Sequence, residues 1–169
     1  MIFLLALLSF FLVLKPVPAK ADNEFRLDQN ISYSVSADGS ALVNQETSLI
    51  NNYSQIYAKE YKINLSGTNI KNITATDKTG NILNKVDQVN DTTSLNLIFN
   101  QPVLGKDQRT DFKINYLVPD FAQNKGNTWE ISLPEFKNIK DTDTLNITLM
   151  VPASFGNLSF SSVGNAVVT

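Results

Sequence analysis

Two glutamates five positions apart, Glu130 and Glu135, are the nearest this chain comes to a paired-carboxylate acid–base system. Glycoside hydrolysis on such a pair needs one carboxyl raised in pKa inside a cleft, and Glu130 stands in the solvent-facing phase between Trp129 and Ile131. The pair is read as surface carboxylates. Asp141-Thr142-Asp143 and the stretch from Asp87 to Asp91 offer the oxygen ligands that calcium takes. Neither has the glycine and ligand spacing of a binding loop, so both are read as solvated turn acids. Asp77-Lys78-Thr79-Gly80 interrupts the Asp-Thr-Gly of aspartic proteases with a lysine and reads as a turn. The 169 residues include no Cys and no His, which excludes Ser-His-Asp and Cys-His nucleophile systems and the usual zinc ligand sets. No catalytic, cofactor-binding or metal-ligating residue is assigned, and no cofactor is expected.

Binding chemistry has more candidates. Trp129 and the tyrosines Tyr33, Tyr53, Tyr57, Tyr61 and Tyr116 offer rings on which a sugar can stack. Four of these six rings, Trp129 among them, share phase with aliphatic neighbours on their own strand and are expected in the core. Tyr53, flanked by Asn51, Asn52 and Ser54, is the only one expected in the open. Seven asparagines open an N-x-S/T triplet: Asn30, Asn52, Asn64, Asn72, Asn90, Asn146 and Asn157. In a eukaryotic secreted chain these are glycosylation acceptors. Alternation supplies the other reading, because a solvent-facing row of Asn, Ser and Thr on a strand produces the triplet automatically. A formal net charge of −2 provides no cationic field for a phosphate backbone, so nucleic acid is not expected as a partner.

The elements that must position these residues begin after a distinct leader. Ile2 to Leu14 is apolar except for Ser9, and is followed by Lys15, Pro16, Pro18 and Ala19-Lys20-Ala21. That order of apolar run, helix breaker and small residues is the pattern of a secretory signal peptide, with cleavage expected after Ala21. No Lys or Arg precedes the apolar run, which departs from the pattern, and an uncleaved N-terminal anchor is the alternative. A lipoprotein is excluded because no Cys is present to be lipidated. From Asp22 onward there is one domain's worth of chain, enough to bury about 70% of its unfolded surface without staples.

That mature part reads as strand after strand. Phe25, Leu27, Ile31, Tyr33 and Val35 alternate with Arg26, Asp28, Asn30, Ser32 and Ser34, a period of two. Asp38-Gly39 then suits a tight hairpin turn, and Ala41 to Ile50 resumes the extended pattern, so the first two strands are expected to pair antiparallel. The same signature recurs around Tyr61, Ile73, Leu83, Leu97, Ile114, Ile131 and Ile147, with turn residues such as Thr79-Gly80-Asn81, Asn90-Asp91, Leu104-Gly105-Lys106 and Lys125-Gly126-Asn127 between the runs. Nothing after residue 21 keeps a helical period for three turns; Glu135 to Lys140 is the one segment expected to hold a helical turn. The fold class is all-β: an antiparallel two-sheet, immunoglobulin-like sandwich of about eight to nine strands following an N-terminal signal helix. The domains are residues 1–21 as leader, 22–156 as sandwich, and 157–169 as the start of a further strand or a truncated linker, expected to lead into a longer protein.

The segment Asp111 to Pro134, with its Phe121-Ala122-Gln123-Asn124-Lys125-Gly126 loop, and the later Val151-Pro152-Ala153-Ser154-Phe155-Gly156 resemble the N-terminal region of exported bacterial transglutaminase-like proteins. The resemblance implies a β-sandwich that precedes a papain-like domain and often a membrane anchor. The catalytic Cys, His and Asp of that family belong to the later domain, so no active-site residue carries over. It further implies a non-catalytic, exported piece of a cell-envelope protein that positions or regulates a domain farther along the same polypeptide, with other envelope proteins or glycans as additional partners. Two alternatives stand beside it: a freestanding adhesion or carbohydrate-binding module, and an N-glycosylated domain of a secretory-pathway subunit.

Overall fold

A computed structural model describes residues 23–66, 69–134, 142–157 and 159. The leader, the expected helical turn at Glu135 to Lys140, and Glu135 and Asp141 themselves lie outside the described residues, as does most of 157–169. The first hairpin sets the frame. Strand β1 (Phe25–Val35) pairs antiparallel with β2 (Ala41–Asn51) over eleven consecutive positions, from Phe25 opposite Asn51 to Val35 opposite Ala41. The turn between them closes with the Gly39 N–H donating to Ser36 O at 3.0 Å and the Ser36 N–H to Ser40 O at 2.8 Å. Only Gly39 of the Asp38-Gly39 dipeptide takes a positive φ, +86°, which makes this a three-residue hairpin loop with a glycine bulge. Asp38 instead caps the turn by accepting from the Ser40 N–H and Oγ.

Seven further strands follow the alternating runs: β3 (Glu60–Ser66), β4 (Lys71–Asp77), β6 (Leu83–Val89), β7 (Thr92–Ile98), β8 (Arg109–Val118), β10 (Trp129–Ile131) and β11 (Thr142–Met150). Two more, β5 (Gly80–Asn81) and β9 (Ala122–Asn124), are short strands inside segments that read as turns. The described strands therefore number eleven, where eight to nine are expected. Two or three residues are too few to show a period, and both pieces pair only because their neighbours hold them. The sheets are β11-β1-β2-β8-β4-β5, the smaller β3-β7-β6, and a β9-β10 ribbon. Among the described strands all pairings are antiparallel except one: β11 lies parallel to β1, Ile31 opposite Ile147. Antiparallel alternation and parallel alternation look alike in sequence, so periodicity carries no warning of this.

The core is where the two larger sheets face each other. β2 and β8 contribute Val43 and Ile114, both fully buried, and β7 answers with Leu95 and Leu97. Phe112 of β8 meets Tyr61 and Phe99, ring centroids 5.7 and 5.3 Å apart and tilted, an arrangement that aromatic quadrupoles favour. At the hairpin end Phe121 stacks on Tyr33 at 5.0 Å. Each such side chain withdrawn from water stabilises by about 1.5–3 kcal/mol. The hairpin turn is also trapped: the Ala122 N–H donates to Gly39 O, and a Cβ on Gly39 would lie 2.4 Å from Ala122 O. Gly39→Ala adds that overlap to the strain of a left-handed φ and is expected to destabilise by about 2 kcal/mol or more. Urea denaturation checks this, and an unchanged midpoint would contradict it.

Candidate functional site

Extending the registers across the large sheet places its solvent-facing side chains in rows. Asn146, Asn30, Glu46, Lys113 and Thr76 form one row across β11, β1, β2, β8 and β4; Thr144, Asp28, Ser48 and Asp111 form the next. The strand period makes this face polar. It forms an open groove of about 700 Å³ whose lining includes Asp28, Glu46, Asp77, Lys78, Arg109, Asp111 and Lys113. Two ion pairs join neighbouring parts of the sheet: Lys113 Nζ to Glu46 at 2.7 Å and Arg109 Nη2 to Asp28 at 2.8 Å. Ser48 Oγ donates to Asp111, and Asn146 Nδ2 to Asn30 Oδ1. Exposed pairs of this kind contribute about 0–1 kcal/mol each, so they fix side-chain positions more than they stabilise the fold.

Asp77 closes one end of the groove. One of its oxygens accepts from the Thr79 N–H and Oγ1 and from the Gly80 N–H, and Asn100 donates to both oxygens. Desolvation pushes this carboxyl up, but the hydrogen bonds from Thr79 and Asn100 outweigh it and leave the pKa at about 2. The turn reading of Asp77 to Gly80 is what the structure shows, with a cross-link to the β7–β8 connection that sequence does not reveal. The other shifts also run away from neutrality: hydrogen bonds from the Ser40 backbone and side chain lower Asp38, and burial raises Tyr33 to about 12 and Tyr116 likewise upward.

At the C-terminal end of β2 stands Asn51, fully buried. Its Nδ2 reaches three carbonyls, Ile56 O, Val103 O and Gly105 O, at 2.8–2.9 Å. Its backbone N–H donates to Gln108 O and its carbonyl accepts from the Asp107 N–H. One amide thus laces the 52–59 and 100–108 connections together. Those loops present Tyr53, Tyr57 and Leu104, which are 42%, 50% and 60% exposed. The expectation for Tyr53 agrees with this; Tyr57 is a correction, since it lies in the loop before β3 and strand phase does not apply to it.

The remaining candidates are dispersed. Glu130 is exposed on β10. Asp87 and Asp143 are corrections to the turn reading: both stand in strands, β6 and β11, where Asp87 pairs with Lys85 at 2.7 Å and Asp143 with Arg26 at 3.0 Å. Tyr33, Tyr61 and Tyr116 pack in or against the core. Trp129 does not join it: half-buried, it stacks on Phe155 at 4.0 Å with the rings 2° from parallel, over the Gly39 turn. Phase told which face of β10 it occupies, but β10 belongs to the outlying ribbon rather than to either packed sheet. Of the seven triplet asparagines, Asn30, Asn64 and Asn146 occupy outward strand positions as alternation requires. Asn72 and Asn90 instead take left-handed backbone, φ +53° and +52°, at a bulge and a turn, where asparagine is favoured for its own reasons.

No family model matches the chain, and no curated protein matches it in sequence. Among solved structures it is similar to an M1 zinc metallopeptidase from Deinococcus radiodurans, with a TM-score of 0.38 at 8% identity, over 66% of this chain and 25% of that one. A substrate-bound E323A form of an M1 zinc metallopeptidase from the same organism is similar at a TM-score of 0.35 and 12% identity, over 59% of this chain and 22% of that one. The chain therefore spans about a quarter of those proteins.

The stability that Asp77 contributes is complete above its ordinary 3.8 and is lost as pH falls through about 2. Asp77→Asn should leave that acid-side loss weaker than in the parent, read from denaturation midpoints between those values; identical acid profiles would contradict it.

Proposed function

We propose that this chain is a non-catalytic, exported β-sandwich that serves as a spacing or interaction domain in a longer cell-envelope protein, resembling the sandwich that precedes the papain-like domain of transglutaminase-like proteins. The observation that carries the reading is the ion-paired polar face. Glu46 with Lys113 and Asp28 with Arg109 answer one another across strands, Asp77 is held by neutral donors, and the pKa shifts move carboxyls down and phenols up. General acid–base work calls for the reverse, a group drawn toward the working pH. The apolar leader with its Ala19-Lys20-Ala21 end supports export. Expressed with its leader in a bacterium, the protein should be recovered outside the cytoplasm with Asp22 as its first residue. N-terminal sequencing is the check, and an unprocessed cytosolic product overturns the reading.

A second reading, carbohydrate binding, is favoured by one arrangement: Tyr53 and Tyr57 exposed on loops that Asn51 makes rigid. Aromatic rings held in place at the end of a sandwich suit stacking on pyranose faces at little entropic cost. On a glycan array, binding that falls at least tenfold in Tyr57→Ala supports this reading, and no binding by the parent dismisses it.

A further inference from the structure

The edges of the two larger sheets are treated differently. The edge at β5 is only two residues long. On the smaller sheet, β3 carries exposed Glu60 and Lys62, and β6 carries the Lys85–Asp87 ion pair. These are the usual means by which a free edge is kept from pairing with another chain. β11 has none of them along most of its length. Beyond a register irregularity at its start, Thr144–Met150 runs in unbroken register with Asp28–Ser34, and this stretch contains no charged residue and no proline. No other strand among the described residues pairs with its outer side.

Its side chains point the same way. On the inner face Ile147 and Leu149 are 36% and 40% exposed, although Ile31 and Tyr33 beside them on β1 are 4% and 1% exposed. Leu145 packs against the core, while Ile147 and Leu149 beyond it stay open to solvent as an apolar strip. On the outer face Thr144, Asn146 and Thr148 are short, polar and uncharged.

We infer that β11 is a dimerisation edge and that its occupant is a second copy of this chain, paired β11 to β11 antiparallel about a two-fold axis at Ile147. The sequence of the stretch selects this occupant because it is self-complementary in that register. Ile147 faces its own copy, Leu145 faces Leu149, Asn146 faces Thr148 and Thr144 faces Met150. Every inner-face pair is apolar and no like charges meet, so one hydrogen-bonded ladder joins the two large sheets through an isologous interface.

The chain from Asp22 onward, which contains every described element, should sediment as a concentration-dependent dimer. Leu149→Glu opposes a carboxylate to Leu145 and should weaken the dimer at least tenfold. Adding Leu145→Lys to that variant sets opposite charges across the axis and should restore it, an outcome that separates loss of the interface from loss of the fold. A monomer at every concentration overturns the inference, whether the edge is then occupied by residues after Asn157 or by a different protein. A dimer indifferent to Leu149→Glu, with no gain from the added Leu145→Lys, overturns it equally.

Discussion

The structure depends on the register of β1, β2 and β8. Because side chains alternate faces with a period of two, a slip of one residue in either pairing would send Tyr33, Val43 and Ile114 to solvent and bring Glu46 and Lys113 into the core. Eleven unbroken pairs on one side of β2 and ten on the other make that slip prohibitive. The glycine bulge at Gly39 starts the count, and the trapped contact with Ala122 keeps the turn from reopening. The core and the polar groove are thus two faces of one registration: whatever buries the odd positions of β1 presents the even ones.

Polar side chains then complete what register begins. Asn51 ties two loops to the end of β2, Asp77 ties the β4–β5 turn to Asn100, and Arg26 reaches from β1 to Asn52, Asp107 and Asp143. Each joins segments far apart in sequence. Arg26 is partly exposed and its ion pairs are correspondingly weak, whereas the Asn51 amide is fully buried, and losing it would take the donor from Val103 O and leave Ile56 O and Gly105 O with only their longer backbone N–H partners. Loops laced by Asn51 and ion pairs that hold side chains across the groove suit a domain that holds something in place.

Much of this was legible beforehand. The alternation from Phe25 to Val35, the Asp38-Gly39 turn and the sandwich follow from period and turn chemistry, because those signals are local. What stayed hidden is non-local. The parallel placement of β11 is decided by which strand lies beside it. The half-burial of Trp129 is decided by the ribbon lying outside both packed sheets, and Phe121 reads as loop yet stacks on Tyr33. Asn51 sits in an Asn-Asn-Tyr-Ser stretch where nothing marks one amide as buried. Among the candidates for chemistry, Glu130 is exposed and Asp91 lies in a turn, as their surroundings imply, but Asp87 and Asp143, which read as turn acids, stand in β6 and β11, and the pairing of Asp28 with Arg109 has no sequence signal at all.

Amide hydrogen exchange in the native state tests the central role of the β1–β2–β8 register most directly. If that triple is the frame, the ladder amides around Val43 and Ile114 exchange only through global unfolding, share one free energy equal to that from denaturant unfolding, and outlast those of β3 and β6. Exchange at Val43 and Ile114 that is faster than in the smaller sheet, or that proceeds with a free energy well below the global value, would contradict the account.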